Sequence, residues 1–106
     1  MRYTANMDRD HLQKAMRLKA LGHPVRLGIA LRLAAEPETC ACDFAEVFGV
    51  SQPTISQHLR VLREAGLVTT RRRGTQICYS LDAGGVRAVR AALAGLSTPA
   101  LRSVSA

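Results

Sequence analysis

The chain has 106 residues, with 15 lysines and arginines against 8 aspartates and glutamates, so its formal net charge is +7. This length predicts one small domain, and the positive charge favours a polyanionic partner. No stretch approaches the roughly 18 consecutive apolar residues of a membrane-spanning helix, which argues against a membrane protein. Two tyrosines and two phenylalanines are too few for a platform that stacks single-stranded bases.

The beginning of the chain carries no apolar segment of the kind found in cleavable signal peptides. We therefore expect a cytoplasmic protein, in which the three cysteines are reduced thiols and not a disulfide framework.

The first half of the chain predicts three helices. A mostly helical apolar pattern covers residues 8–20. Pro24 stands at a favoured first-turn position of a second helix, 24–35, which is apolar over much of its surface and is expected to be the core helix. After a break, Thr39 can cap a short helix over 41–48.

A fourth helix, from Ser51 to about residue 65, has the features of a DNA recognition helix. Ser51 is a good N-cap, and Ile55, Leu59 and Leu62 form one apolar stripe on a 3.6-residue period. Polar side chains off that stripe can hydrogen-bond to base edges, and the first-turn amides can hold a phosphate. The candidate DNA contacts here are Ser51, Gln52, Thr54, Ser56, Gln57, His58 and Arg60.

Residues 67–81 predict a β-hairpin, because β-branched residues flank a glycine turn at Gly74. Three consecutive arginines lie at its tip, where they would neutralise DNA phosphates; a solvated charged loop is the alternative. The candidate contacts are Arg71, Arg72, Arg73 and Gln76. The fold class is therefore mainly α with a β-hairpin wing, a winged helix-turn-helix in the order α-α-α-α-β-β-α.

The last predicted helix spans residues 82–95 and precedes a Ser/Pro tail. We interpret 1–106 as a single domain, with 8–96 as the ordered core and 97–106 as a flexible tail. The apolar stripes of the first and last helices have no place in one subunit, so we expect a homodimer through these helices. Such a dimer would meet major grooves about 34 Å apart, and its double-stranded operator would be an imperfect inverted repeat.

Four phrases taken together resemble the ArsR/SmtB family of bacterial metal-responsive repressors. They are LGHPVRL (21–27), TCACDF (39–44), SQPTISQHL (51–59) and LREAGLV (62–68). The likeness covers roughly residues 12–96. It implies a homodimeric repressor that leaves its operator when an effector binds.

The effector prediction depends on Cys40-Ala41-Cys42-Asp43, which looks like the family's thiolate element for arsenite, antimonite or soft divalent metals. On a regular helix Cys40 and Cys42 would point about 200° apart, so both can reach one ion only if the backbone is extended or the helix start is distorted. The helix N-terminus would favour the thiolate form, and Asp43 would oppose it. The alternative is that both cysteines are small buried residues.

The best-known arsenite pattern has a third cysteine three positions later, where this chain has Ala45. Cys78 is expected to be a packed hydrophobe, too far from the other two cysteines to complete the site. A third ligand could come from the N-terminal arm (Asp8, Asp10 or His11) across a dimer, or from water. Mixed ligands would suit a divalent transition metal such as zinc, cadmium, cobalt or nickel. Residues 82–101 contain no histidine and one acid, so no site is predicted there.

The same sequence features allow other functions to be compared with a metal-responsive repressor. A thiol-redox sensor is possible, although a disulfide between Cys40 and Cys42 would close a strained ring. A winged domain used only for protein contacts would show no salt-dependent affinity for DNA. The chain has no cofactor loop and no acid/base constellation, so we expect no enzyme activity.

Overall fold

The computed structural model describes residues 8–98. These residues form five helices and three strands. The helices are α1 (Arg9–Leu21), α2 (Pro24–Ala35), α3 (Ala41–Phe48), α4 (Gln52–Glu64) and α5 (Ala83–Ala94), and the strands are β1 (Thr39–Cys40), β2 (Val68–Arg73) and β3 (Gln76–Leu81).

The helices agree with the sequence prediction. Their ends are fixed by capping residues that are close to them in the sequence, and such signals can be found without the structure. His23 accepts a hydrogen bond from the amide of Val25 before α2, and Ser51 accepts one from the amide of Thr54 at the start of α4. The turn after α3 is made by Gly49, whose φ of 65° lies in the left-handed region that favours glycine.

The strands form one antiparallel sheet in the order β1-β3-β2. The wing is the β2–β3 hairpin, as predicted. Strand β1 was not predicted: Thr39 does not cap α3 but pairs with Tyr79, and Cys40 occupies the N-cap position. A two-residue strand whose partner is 40 residues away has no local periodicity to reveal it.

The core lies beneath α4. Ile55, Leu59 and Leu62 are completely buried, which confirms the predicted stripe, and they pack with Phe44 and Ile29. Helix α2 is less central than its composition suggested. Its Ile29 and Leu33 are buried, whereas Leu27 and Leu31 are exposed.

The start of α5 explains the second of two adjacent glycines. Asp82 accepts a hydrogen bond from the amide of Gly85, and Gly85 is buried against the backbone of Gly66. A methyl group at position 85 would collide with the carbonyl oxygen of Gly66, so only glycine allows this approach.

In the part of the chain that the structure describes, no helix is both long and apolar enough to cross a membrane. The predicted tail lies outside the described residues from position 99 onward. The division into a core at 8–96 and a flexible tail stays a prediction.

Candidate DNA-binding surface and cysteine site

The outer face of α4 is polar and exposed. Gln52, Thr54, Ser56, Gln57 and Arg60 are all exposed, as expected for side chains that could reach base edges or phosphates. Two of the predicted contacts also have structural partners. The hydroxyl of Ser51 donates to Thr54 Oγ1 at 2.9 Å, and Arg60 lies 3.7 Å from Glu64.

His58 occupies a different position from the other candidates on α4. It is half-buried, its ring centroid lies 4.5 Å from that of His23, and its Nδ1 lies 3.3 Å from Arg26 Nη1. Burial, together with the positive charge of Arg26 and the neighbouring His23, lowers the pKa of His58. His58 therefore packs against the α1–α2 junction and is not part of the exposed polar face of α4.

The wing arginines differ in their surroundings. Arg71 and Arg73 both lie beside Glu38, at 3.0 and 2.9 Å, and their hydrogen bonds hold the pKa of this carboxyl below its usual range. Side chains alternate along a strand, so Arg72 projects from the face of β2 opposite to Arg71 and Arg73. It forms no ion pair within residues 8–98. Gln76, at the start of β3, is also exposed.

Sequence analysis did not single out Glu38. The available signal was an acid two positions before Cys40 in a chain that carries an arginine run. Nothing local in the sequence shows that the acid and the arginines meet.

The sheet brings Cys40 and Cys78 together. These residues are paired across β1 and β3, and their Sγ atoms lie 3.3 Å apart. The expectation that Cys78 lies too far from the other cysteines was therefore wrong for Cys40, because the unpredicted strand β1 pairs with β3. Cys78 is buried, as expected for a packed residue, Cys40 is half-buried and Cys42 is exposed.

The backbone at Cys40 is extended (φ −85°, ψ 154°), and α3 begins at the next residue. An extended backbone here is one of the two geometries in which thiols at i and i+2 could approach one ion; a distorted first helical turn is the other. Cys42 Sγ lies 3.9 Å from Asp43 Oδ1.

The charge environment of Cys40 differs from the prediction. Its hydrogen bond with Cys78, burial and the nearby Cys42 and Asp43 raise the pKa of the Cys40 thiol to about 11. These neighbours favour the protonated thiol, so any ion that binds Cys40 must displace a proton.

One cleft joins the thiol motif to the DNA-binding elements. It has a volume of about 440 Å³. Its walls are formed by the thiol motif, α4 and the tip of the wing: Cys40, Ala41, Cys42, Gln52, Ser56, Thr75, Gln76, Ile77 and Tyr79. Cys40 also donates a hydrogen bond to Gln76 Oε1 at 3.1 Å. Cys40 is thus in direct contact with the wing through Gln76.

The N-terminal candidates lie elsewhere in the subunit. His11 lines a separate cleft between α1 and α5, Asp8 caps α1, and Asp10 pairs with Lys14 at 2.8 Å. Within residues 8–98, no three His, Cys, Asp or Glu side chains converge in a geometry that could hold a metal ion. One subunit therefore does not bring His11 to the cysteines.

The sequence and the fold of this chain are both similar to those of known transcriptional regulators. A sequence profile described as "Bacterial regulatory protein, arsR family" matches residues 23–70. The chain is 37% identical to the HTH-type transcriptional regulator YgaV of Escherichia coli (strain K12), over 82% of this chain and 88% of that protein.

Two further relatives agree with this match. The arsenical resistance operon repressor of Escherichia coli (strain K12) is 44% identical over 60% of this chain and 55% of its own length. A crystal structure described as a possible transcriptional regulator for arsenical resistance superposes with a TM-score of 0.74, at 35% identity, over 84% of this chain and 92% of that one. These relatives are transcriptional regulators and not enzymes. The chain therefore belongs to the ArsR family of bacterial regulatory proteins and is a DNA-binding transcriptional regulator.

Proposed function

We propose that the protein is a cytoplasmic homodimeric repressor that leaves its operator when arsenite, antimonite or a soft metal binds Cys40 and Cys42. The observation that carries this proposal is the shared cleft, in which the two thiols face Gln52 of α4 and Gln76 of the wing. An ion held there lies within the DNA-binding apparatus itself.

The DNA side of the proposal rests on charge and exposure. The polar face of α4 reads base edges, and Arg72 binds phosphate on one face of the wing. The net charge of +7 adds a salt-dependent attraction that does not depend on sequence.

The proposed dimer would cover the apolar surfaces of α1 and α5. Leu18, Leu93 and Leu96 are exposed and line a largely apolar cleft of about 360 Å³ between these helices. A second copy of the same surface would remove them from water and present two α4 helices to an inverted repeat.

Release requires that the ion bind the free and DNA-bound conformations with different affinities. Ligation of Cys40 removes the proton that it donates to Gln76, so the wing loses a contact that helps to position it. Ligation of Cys42 also acts on the first turn of α3, which packs against α4. Both effects favour the conformation with the lower affinity for DNA.

The test is a titration of the reduced protein on its own promoter fragment at fixed salt, followed by fluorescence anisotropy. Arsenite, nickel, zinc, cadmium and cobalt are added in parallel. We expect release by arsenite at about stoichiometric amounts. A variant with Cys40→Ser and Cys42→Ser should bind the fragment normally and no longer respond. A double variant that still responds would rule out the site.

A divalent metal held by mixed ligands is the alternative effector within the same proposal. The carboxylate of Asp43, beside Cys42, offers the oxygen ligand that such an ion could use. Release only by a divalent ion in the same titration would favour this alternative, and His11 of a second subunit would then be the further ligand to test.

The contact between Cys40 and Cys78 favours a second candidate, a thiol-redox sensor. Two thiols and one hydrogen peroxide would give a disulfide and two waters, and paired residues on neighbouring strands lie within the Cα separation that disulfides adopt. Release by peroxide that is reversed by a reductant would support this function.

A further inference from the structure

We infer that Cys78 supplies the third thiolate of the effector site, so that Cys40, Cys42 and Cys78 of one subunit hold a trivalent metalloid. This inference rests on the proposed function and names the ligand that position 45, an alanine, does not provide. It needs no residue from a second subunit.

The position of Cys78 follows from the sheet. Directly opposed residues of an antiparallel pair project from the same face, so the pairing of Cys40 with Cys78 places both thiols together. Cys78 is buried, whereas Cys40 and Cys42 line the open cleft. An ion entering that cleft meets Cys40 and Cys42 first and binds Cys78 through its contact with Cys40.

The sulfur separation allows one ion to bind both thiols. With bonds to sulfur of about 2.3 Å, two thiolates on one atom lie about 3.3 Å apart at an angle of about 90° and about 3.8 Å apart at a tetrahedral angle. The observed separation of 3.3 Å is at the lower end of this range. The pair can therefore bind one trivalent arsenic or antimony without a movement of the backbone.

Cys42 completes the set by a local movement. No three ligands converge in residues 8–98 as the structure stands, but Cys42 is exposed on the same cleft and its thiol turns about a single side-chain torsion. The reaction is a substitution, in which As(OH)₃ and three thiols give one As(SR)₃ and three waters. No oxidant or reductant is consumed.

Three sulfur bonds would join β1, α3 and β3 through one atom. The Cys40 thiol then no longer donates to Gln76 Oε1, and the start of the wing strand is drawn toward α3. The inferred site thus acts on the wing from two sides, through Cys78 within β3 and through Gln76 at its beginning.

The experiment compares the full-length protein with Cys78→Ala, and uses Ser80→Ala as the matched control on the same strand and face. The probe is arsenite, added in the presence of a phosphine reductant that contains no thiol. Two quantities are measured: the arsenite concentration that releases promoter DNA, and the number of thiols that arsenite protects from a thiol-reactive dye. Labelling is continued until the buried Cys78 also reacts in the protein without arsenite, so that its protection can be counted.

We expect all three thiols to be protected in the full-length protein and in Ser80→Ala. Cys78→Ala should bind DNA normally without arsenite and require at least about tenfold more arsenite for release, because even the loss of a ligand's supporting partner typically costs that much affinity. Protection of only two thiols, with an unchanged response in Cys78→Ala, would overturn the inference and leave the proposed function standing. No protection and no release in the full-length protein would overturn both.

The number of protected thiols is also measured in the protein without substitutions, so this part of the test does not depend on whether Cys78→Ala folds. If Cys78→Ala lost DNA binding, the full-length protein would still decide the matter, since two protected thiols contradict the inference and three support it.

Discussion

The guanidinium of Arg71 donates two hydrogen bonds to the carboxylate of Glu38, at 3.0 and 3.2 Å, across 33 residues of sequence. Arg73 binds the same carboxylate. Glu38 lies immediately before β1, which contains Cys40, so this cluster attaches the wing to the segment that carries the thiols. It also neutralises part of the positive charge that the wing would otherwise present to DNA.

We predict that Arg72 contributes more to DNA binding than Arg71. Arg72→Ala should lower the slope of log affinity against log salt by about 0.9, the value for one lost phosphate contact. Arg71→Ala should lower it less, because the charge of Arg71 is already paired with Glu38. The slopes are measured by anisotropy on random DNA. Equal losses would mean that DNA displaces Glu38 from the wing.

Gln57 is predicted to read the operator sequence. Its amide is exposed on α4, and a side-chain amide can form paired hydrogen bonds with adenine. Gln57→Ala should reduce the preference for operator over random DNA by about 1 to 3 kcal/mol. The competition is measured with fragments of equal length at the same salt. Unchanged discrimination would show that another face of α4 reads the bases.

Acid should destabilise the protein through His58. The folded protein lowers the pKa of His58 below its ordinary 6.5, so the unfolded chain takes up the proton first as the pH falls. The stabilising contribution is complete above about pH 6.5 and is lost as the pH falls toward the lowered pKa. Urea unfolding at about pH 7.5 and about pH 5.5 should show a smaller loss for His58→Gln than for the unaltered protein. An identical loss in both would assign the effect to other groups.

The two glycines at the start of α5 should respond in opposite ways to alanine. Gly85→Ala forces a methyl group into the backbone of Gly66 and should lower the free energy of unfolding by about 1 to 3 kcal/mol. Gly84 is exposed, and a methyl group there would come closest to the side chain of Asp82, at 3.3 Å. A small shift of that side chain accommodates it, so Gly84→Ala should be tolerated and could add up to about 1 kcal/mol through helix propensity. Urea denaturation of both variants checks this. A tolerated Gly85→Ala would show that α5 can move away from α4.

The proposed dimer predicts that Leu93→Glu weakens self-association. Leu93 is 50% exposed on the apolar cleft between α1 and α5, and burial of a leucine contributes about 1.5 to 3 kcal/mol. We expect dissociation at least about tenfold easier by sedimentation equilibrium. Val47→Glu, at a residue 49% exposed on α3, is the matched control and should leave the dimer intact. Equal effects of both would place the interface elsewhere.

The helices, the wing and the family could be predicted from the sequence alone. Their signals are local: Ile55, Leu59 and Leu62 repeat with the helical period, Ser51 caps the helix they belong to, and Gly74 makes the wing turn. A hydrogen bond or an apolar stripe within one element is encoded by residues that are neighbours in the chain.

The contacts between groups that are distant in the sequence, at the candidate site and beside it, depend on the tertiary fold. It paired Cys40 with Cys78, Glu38 with Arg71, and His58 with Arg26, all of them more than 30 residues apart. The first two contacts follow from strand β1, whose two residues are too few to show an alternating pattern. The third follows from the packing of α4 on α2, because contacts between elements depend on how those elements pack and leave no period in the sequence.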